Sequence, residues 1–498
     1  MKVEKEIAAI NDKLEEKDRE INAKKEELCK KDDEITTLET RVKHIQSVSV
    51  SAETNKEALE QVTKLTCENE VLQKHLKQAH EARQGLEHMS ADSLKALEEQ
   101  VRAGEIQRRK MHNLIQELRG NVRVFARVRP FLPNDGLDLS NPPDPTIFTK
   151  QDGVSLQIKK DAVGDEKAQN HHFSFDKVFG PSSSQESVFL EVSEFVQSAL
   201  DGFNVCLMSY GQTGSGKTHT MQGSGDGPMR GIIPRAMEQV GQYKLDLEGQ
   251  GWIYEMEVTF VEIYNETIRD LLRSGSAPSD LKHEIKKDEK GCAYISDVVS
   301  IPVDPNNNSE IDKIMHLAAR HRSVSKTDMN EQSSRSHSVF CLHLKATNKD
   351  QGTMLKGALS LVDLAGSERL DRSGATGAQA KETMAINKSL SSLTDVFVAI
   401  GNKQTHIPFR NSKLTYLLQP ALSGDGKTLM MANLSPTDAS FFESLCSLRF
   451  ASQVNQCELG KPKKSISKDI SNDKDANTGT RERSNSNAVQ KKPRISSR

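Results

Sequence analysis

The sequence predicts a three-layer α/β domain over residues 120–459, a segmented parallel coiled coil over 1–119 and a disordered basic tail over 460–498. Apolar residues recur every seven positions before residue 120, which is typical of a coiled coil. A glycine-rich loop follows an apolar strand in the middle of the chain, and predicted strands alternate with predicted helices around it.

Composition indicates one large folded region flanked by polar segments. Only 5% of the 498 residues are aromatic while 28% are charged, which is too polar for a chain that is globular throughout. No run of about 18 apolar residues occurs, and the first residues lack the apolar core of a secretory signal. We therefore expect a soluble intracellular protein with no membrane partner. The seven cysteines are scattered without a C-x-x-C pair, which argues against a disulfide framework or a zinc site.

The region before the folded domain carries three heptad seams, at residues 7–45, 62–86 and 94–118. Lysines occupy several core positions of the first seam, so a solvated single helix is the alternative there. The third seam is out of phase with the first. We expect flexible joints at Ser47–Asn55 and Gly85–Ser93.

A folded domain begins after Gly120, because a glycine just past the last helical residue is a common stop signal. Val122–Val128 then alternates like a strand. Later strands are expected at Val258–Tyr264, Val339–Leu344 and Ala358–Leu364, and helices at Gln185–Leu200 and Ser389–Ile400.

The strongest functional signal is a phosphate loop that follows the apolar run Val205–Tyr210. Glycines let a backbone curl around polyphosphate. The lysine of such a loop reaches the β and γ phosphates and the hydroxyl that follows binds Mg²⁺. A chance glycine turn before a helix is the alternative. The G-x-x-x-x-G-K-[ST] residues are Gly211, Gln212, Thr213, Gly214, Ser215, Gly216, Lys217 and Thr218.

Two further motifs fit the same chemistry. Asp363–Glu368 follows an apolar strand, so its acid can meet Mg²⁺ through water and its glycine amide can sense a γ phosphate. Asn330–His337 places hydroxyls and an arginine in a polar loop before another strand. Considered separately, each could be an ordinary polar turn.

Together these motifs resemble the phosphate loop, switch I and switch II of the kinesin motor domain, a P-loop NTPase. The resemblance extends over Asn121–Leu459 and includes Arg127–Pro130, Val261–Glu266 and His406–Thr415. It implies a mixed central sheet between helices, ATP and Mg²⁺ as ligands, and ATP hydrolysis.

The resemblance also implies roles for single residues. In switch I, Asn330 and Ser333 would contact nucleotide, and Ser334 would join Thr218 on Mg²⁺. The residues around the adenine and the phosphate loop would be Arg127, Arg129, Pro130, Tyr210 and His219.

Catalysis would depend on both switches together with Lys217. Asp363 would hold Mg²⁺ through water, and Gly366 would bond the γ phosphate. A salt bridge between Arg335 and Glu368 would close the site, with Glu368 orienting a water relay.

A microtubule is the implied track, because tubulin is acidic and the kinesin face that meets it is basic. Each candidate could instead be a solvated surface charge. The candidates are Arg369, Arg372, Lys381, Lys388, Arg410 and Lys413.

The order of parts resembles kinesin-14, since the coiled coil precedes the motor domain and Glu117–Asn121 joins them without a spacer. This implies minus-end directed movement, with the neck helix swinging about a hinge at Gly120 and Asn121. It also implies a homodimer, or a heterodimer with a related chain. Members usually carry a basic segment before the coiled coil, whereas this chain starts almost inside its heptads, so a shortened form or a short paralogue is expected.

We expect a microtubule-stimulated ATPase in the cytoplasm, on microtubules and the spindle, that acts in spindle organisation. The alternative is a non-motile, nucleotide-regulated microtubule crosslinker. A GTPase is disfavoured because no N-K-x-D motif occurs, and no nucleic-acid partner is expected. The basic tail is a second microtubule contact, a nuclear import signal around Lys491–Arg494, or a linker regulated by serine phosphorylation.

Overall fold

The computed structural model describes residues 22–23, 25–26, 29–46, 56–136, 138, 140–162, 168–225, 227–273, 282–287, 293–324, 334–349, 352–368, 378–423, 426–457 and 465–468. These belong to two compact units, Met1–Lys110 and Met111–Arg498.

The first unit is helical where it is described. Helix α1 covers residues 29–46, and α2 is a continuous helix over Lys56–Arg119 whose last turns belong to the second unit. Ile35 and Leu72 are buried, and Arg83 Nη1 lies 2.7 Å from Asp32 Oδ1. Part of the heptad seam is therefore buried within one chain, and pairing with a second chain stays a prediction.

Helix α2 runs through residues 85–93 without a break, so the joint predicted at Gly85–Ser93 is wrong. A glycine in an exposed helix costs only about 1 kcal/mol relative to alanine. The flanking alanine, glutamine, leucine and glutamate residues are strong helix formers that offset this cost. The joint predicted at Ser47–Asn55 lies outside the described residues.

A mixed sheet forms the centre of the second unit, as the sequence predicts. Its ten strands in the described chain are β1 Val122–Val128, β5 Lys177–Phe179, β6 Asn204–Tyr210, β7 Trp252–Tyr264, β8 Thr267–Asp270, β11 Ile301–Pro302, β12 His337–Asn348, β13 Thr353–Asp363, β14 Gly426–Leu434 and β15 Ser465–Lys468. They lie in the order β11-β7-β12-β13-β6-β14-β1-β5, with β8 beside β7 and β15 beside β13. Along this order, neighbouring strands are antiparallel from β11 to β13 and parallel from β13 to β5.

Smaller sheets and helices complete the unit. A three-stranded sheet contains β2 Ile147–Thr149, β3 Ser155–Lys160 and β4 Gln169–Ser174, and a two-stranded sheet contains β9 Ile285–Lys287 and β10 Ala293–Ile295. No described helix is both long and apolar enough to cross a membrane. The helices are α3 Gln185–Leu200, α4 Lys217–Met221, α5 Ile232–Glu248, α6 Asn308–Val324, α7 Ala378–Gly401, α8 Lys413–Leu417, α9 Gln419–Leu422 and α10 Phe441–Asn455.

Side chains alternate between the two faces of the sheet along β6, so the apolar core consists of two clusters, one on each face. Cys206 and Met208 belong to a cluster that includes side chains of α7 and α10. Val205 and Leu207 belong to the opposite cluster, with side chains of α3, α5 and α6. A strand buried on both faces reads as a continuous apolar run, and helices on both faces of the sheet give the predicted three layers.

The four residues Ser465–Lys468 form β15, which pairs with Thr353–Lys356 at the start of β13. The expectation of disorder throughout the tail is therefore wrong for these residues. Pairing between β13 and β6 begins only at Ala358, so the preceding part of β13 leaves backbone groups on that edge for another strand to pair. The remainder of the predicted tail lies outside the described residues.

Candidate active site

The phosphate loop connects the end of β6 to the first residue of α4. Gly211, Gly214 and Gly216 have φ values of +150°, +75° and +96°, which side-chain-bearing residues rarely adopt. A Cβ on Gly211 would lie 2.3 Å from the Asn433 carbonyl oxygen, whereas one on Gly214 or Gly216 would meet nothing within 4 Å. The loop therefore needs glycine for its conformation, and its backbone borders open space that a phosphate can fill.

Lys217 lies across this loop. Its Nζ donates to the carbonyl oxygens of Gly211 at 2.9 Å and Gln212 at 3.0 Å, and the residue is 7% exposed. Burial lowers the pKa of Lys217, while the charges of Asp363 and Glu368 oppose that shift. The side chain is thus a buried cation held by weak neutral acceptors, which a phosphate oxygen can replace.

Thr218 and Asp363 meet beside the loop. Thr218 Oγ1 donates to Asp363 Oδ2 at 2.6 Å, and Ser209 Oγ donates to Asp363 Oδ1 at 3.1 Å. Asp363 is 2% exposed, and Arg322 Nη1 lies 3.6 Å from its Oδ2. Hydroxyl and carboxylate oxygens are the ligands that Mg²⁺ prefers, so this donor set fits the metal that the resemblance implies.

Backbone hydrogen bonds join switch II to both switch I and the phosphate loop. Gly366 N donates to the Ser334 carbonyl at 2.8 Å, and Ser367 N donates to the Gly211 carbonyl at 3.2 Å. A Cβ on Gly366 would lie 2.2 Å from Glu368 Oε2, so a larger residue there would displace the Glu368 side chain. The three motifs, far apart in sequence, therefore form one site.

Glu368 contacts the phosphate loop. Its Oε2 accepts from Thr213 N at 2.9 Å and its Oε1 accepts from Thr213 Oγ1 at 2.6 Å. Both carboxylate oxygens are thus bonded to Thr213, and the salt bridge with Arg335 stays a prediction. Asn330 and Ser333 lie outside the described residues.

The two arginines predicted near the adenine brace the site from within the protein. Arg129 Nε donates to the Gly214 carbonyl at 2.8 Å, and the neighbouring Pro130 is exposed. Arg127 is 8% exposed, and its Nη1 donates to Gln185 Oε1 at 2.8 Å and Thr220 Oγ1 at 3.0 Å. His219 lies nearby, and burial together with the charge of Arg127 lowers the pKa of His219.

Tyr210 does not fit the predicted stacking on adenine. The residue is 9% exposed, and its ring centroid lies 4.6 Å from that of Phe450. Burial raises the pKa of Tyr210 to about 12. Strand alternation explains the difference, because Tyr210 lies on the same face of β6 as Cys206 and Met208.

Sequence reasoning missed the side chains that hold these predicted residues in place. Asp135 accepts two bonds from Arg129, and Gln185 bonds both Arg127 and the His219 carbonyl. Asn433 Nδ2 donates to Thr220 Oγ1 at 2.8 Å. Gln185 and Asn433 come from distant elements, whereas Asp135 lies six residues after Arg129. No regular spacing in the sequence marks any of the three.

The candidate track-facing residues lie on neighbouring elements. Lys388 in α7 and Arg410 in the 3₁₀ turn Phe409–Asn411 are exposed. Lys413 begins α8, where its backbone N donates to Glu266 Oε2 at 2.9 Å. Lys381 also lies in α7, whereas Arg369 and Arg372 fall outside the described residues.

The predicted hinge lies where α2 ends. Gly120 has φ +93°, and the Asn121 carbonyl accepts from Thr428 N at 2.7 Å. Two side chains near the end of α2 contact α3. Gln116 Nε2 donates to Glu194 Oε2 at 2.9 Å, and Arg119 Nη1 donates to the same oxygen at 2.6 Å. Burial alone would raise the pKa of Glu194, but these partners lower it. The end of α2 is therefore docked on α3.

Comparisons with known proteins agree with the fold and the motifs. The family model described as the kinesin motor domain matches residues 127–457. Kinesin-like protein KIN-14C of Arabidopsis thaliana is 49% identical over 389 residues, which cover 76% of this chain and 48% of that protein. Carboxy-terminal kinesin 2 of Xenopus laevis is 42% identical over 456 residues, covering 89% of this chain and 69% of that protein.

A solved structure agrees as well. The C-terminal motor and motor homology domain of Kar3Vik1, fused to a synthetic heterodimeric coiled coil, aligns with TM-score 0.66 and 43% identity, over 77% of this chain and 99% of that one. The chain spans about half the length of the KIN-14 relatives that it matches. With its family model matched over most of its length and its relatives among the kinesin-14 proteins, the chain belongs to the kinesin motor domain family.

Proposed function

We propose that this chain is a microtubule-stimulated ATPase that moves toward microtubule minus ends and acts in spindle organisation. The observation that carries the proposal is a continuous set of backbone hydrogen bonds, in which Gly366 of switch II bonds Ser334 of switch I and Ser367 of switch II bonds Gly211 of the phosphate loop. Such an arrangement allows the presence of a γ phosphate to change the position of both switches. Its kinesin-14 relatives support the choice of track.

ATP is the proposed substrate, and the residues of the loop handle its phosphates. Lys217 exchanges its two backbone carbonyl partners for phosphate oxygens, and Thr218 and Ser334 offer hydroxyls for Mg²⁺ with Asp363 behind them. Mg²⁺ neutralises charge that develops on the phosphates. To bond the γ phosphate, the Gly366 amide must give up the Ser334 carbonyl.

Glu368 is the proposed organiser of the attacking water. Its carboxylate lies on Thr213 of the phosphate loop, so it is already at the edge of the site. Phosphoryl transfer to water depends mainly on positioning and charge stabilisation. Pairing with Arg335 would move Glu368 away from Thr213 as the switches close.

The basic residues Lys388, Arg410 and Lys413 support binding to an acidic track. Their elements, α7, the 3₁₀ turn and α8, are adjacent in the fold. Attraction between exposed charges is screened by salt, so microtubule affinity should fall as ionic strength rises.

The neck supports the proposed direction of movement. Here the neck helix, which is the end of α2, precedes the motor domain. It is docked on Glu194 through Gln116 and Arg119. Release of these contacts would let α2 rotate about Gly120, whose φ of +93° favours glycine.

Assembly as a dimer is supported by apolar side chains left exposed on the third heptad seam. Leu94, Ile115 and Leu118 are 42%, 40% and 80% exposed. A second helix of this chain or of a related chain would bury them in a coiled coil. Sedimentation equilibrium of the full chain tests this, and a monomer at micromolar concentration would contradict it.

The experiment that tests the function is gliding of polarity-marked microtubules on surfaces coated with the full chain, together with ATPase rates measured with and without microtubules. We expect stimulated hydrolysis and minus-end directed motion. Attachment without movement would favour a crosslinker, and plus-end motion would contradict the proposed direction. The Lys217→Ala variant serves as the inactive control.

A further inference from the structure

A buried histidine links the turn that carries Gly366 to helix α7. His337 is the first residue of β12 and is 2% exposed. Its Nδ1 lies 3.0 Å from the Ala365 backbone N, and its Nε2 lies 2.6 Å from Ser389 Oγ. Ser389 Oγ lies in turn 2.7 Å from the Ile386 carbonyl oxygen.

The donors in this series of hydrogen bonds fix the tautomer of the His337 ring. A backbone N–H can only donate, so Nδ1 of His337 must accept from Ala365. Burial, together with the charges of Lys217 and Arg322, lowers the pKa of His337 to about 3. The ring is therefore neutral near pH 7, its proton is on Nε2, and Ser389 accepts that proton's bond while donating its own to Ile386.

These hydrogen bonds are buried and hold their groups in a fixed arrangement. Ala365 is 0% exposed and Ser389 is 3% exposed, so bulk water does not reach these groups to replace a lost partner. The imidazole is planar and rigid, and its two nitrogens fix both neighbours relative to one another. A shift of the Ala365–Gly366 turn must either break a buried bond or move Ser389 with it.

We propose that His337 is a positioning residue that couples the Ala365–Gly366 turn to α7 through Ser389, so that the state of the nucleotide site reaches the basic face. The proposal rests on the function proposed above. Gly366, whose amide bonds Ser334, is the residue next to Ala365. Lys388, a candidate microtubule contact, is the residue next to Ser389 and is exposed.

A matched pair of serine variants tests the coupling in the full chain. Ser389→Ala removes the acceptor of His337 Nε2. Ser391→Ala is the control, because the exposed Ser391 Oγ also bonds a carbonyl three residues back, that of Lys388 at 3.1 Å, on the same helix. We expect Ser389→Ala to keep the basal ATPase rate within about twofold and to lower microtubule stimulation about tenfold, the effect of about 1.4 kcal/mol. Ser391→Ala should match the wild-type chain.

A double-mutant cycle separates coupling from simple packing. The amide oxygen of His337→Asn can still accept from Ala365, but the shorter side chain does not reach Ser389. We expect His337→Asn to reproduce the loss of stimulation, and the double variant with Ser389→Ala to fall no further than either single variant. Additive losses, or equal stimulation of Ser389→Ala and Ser391→Ala, would overturn the proposal. If His337→Asn does not fold, the serine pair still decides.

The wild-type chain keeps the two proposals apart. If microtubules do not stimulate its ATPase, the proposed function fails and the coupling fails with it. If they do, and Ser389→Ala is stimulated as strongly as the wild-type chain, only the coupling by His337 is refuted.

Discussion

Asp135 should strengthen nucleotide binding without touching nucleotide, because it braces the phosphate loop through Arg129. The Asp135 carboxylate accepts from Arg129 Nη1 at 2.7 Å and Nη2 at 2.6 Å. The same guanidinium donates from Nε to the Gly214 carbonyl at 2.8 Å. The two side chains are 12% and 11% exposed, so this ion pair is largely shielded from water.

The Asp135→Asn substitution keeps the size of the side chain but removes its charge and turns an NH₂ group toward the guanidinium. A hydrogen bond to a charged group contributes about 1.5–3 kcal/mol, and the substitution removes one of two such bonds. We expect the free energy of unfolding to fall by about that amount. If about half of this free energy is also lost from nucleotide binding, through the bond of Arg129 to Gly214, the Kd for nucleotide rises roughly three- to tenfold.

Titration with a fluorescent ADP analogue in the presence of Mg²⁺ measures this Kd, and urea unfolding measures the stability. Asp138→Asn is the control, because the carboxylate of the exposed Asp138 accepts a local bond from Ser140 N, two residues along the chain. An unchanged Kd alongside a lower stability would refute the bracing of the loop, and no change in either quantity would show that the pair contributes nothing.

The stability difference should also depend on pH in a defined direction. The bond from Arg129 lowers the pKa of Asp135 below its ordinary value. A carboxyl group whose pKa is lowered by folding stabilises the protein fully above its unfolded pKa, about 3.9. That contribution is lost as the pH falls through the lower native pKa. The wild-type chain and Asp135→Asn should therefore differ steadily near pH 7 and converge only in strong acid.

Three further predictions concern the site and the core, the last of them with a matched control in α2. Lys217→Ala should abolish nucleotide binding in the same titration, because the loop loses its buried cation; wild-type affinity would contradict the role of Lys217. Glu368→Ala should bind ATP but release almost no phosphate, and turnover at the wild-type rate would remove the proposed water-organising role. Gly357→Ala should destabilise the motor domain by about 1–3 kcal/mol, because its Cβ would lie 2.3 Å from the Ala199 carbonyl oxygen. Gly104→Ala, whose Cβ meets nothing within 4 Å, should instead stabilise α2 by about 1 kcal/mol, and urea unfolding distinguishes the two.

The parts of the fold that could be predicted are those encoded by local spacing. Apolar alternation and the glycine stop place β1 after Gly120, and α3 has the predicted bounds Gln185–Leu200. The phosphate loop could be identified because its conformation requires glycine at fixed positions. The joint at Gly85 was wrong because one glycine is a small cost in a helix that its neighbours favour.

The partners of the site residues could not be predicted, since they depend on which elements become adjacent in the fold. Asp135, Gln185 and Asn433 are ordinary polar residues in sequence, and only tertiary structure brings them to the loop. Tyr210 is different, because alternation along β6 indicates that it lies on the same face as Cys206 and Met208. The prediction that it stacks on adenine relied instead on the general ability of a tyrosine ring to stack on a base.

Helix α3 contacts both the nucleotide site and the neck, which suggests how the two communicate. At its first residue, Gln185 bonds Arg127 and the His219 carbonyl of α4. Nine residues later Glu194 holds Gln116 and Arg119 of the neck, a separation of about 14 Å along a helix that rises 1.5 Å per residue. A helix transmits displacement along its axis with little loss, because its backbone bonds are internal. Movement of α4 on phosphate binding should therefore alter the docking of the neck through α3, while His337 conveys the change at switch II to α7 on a separate path.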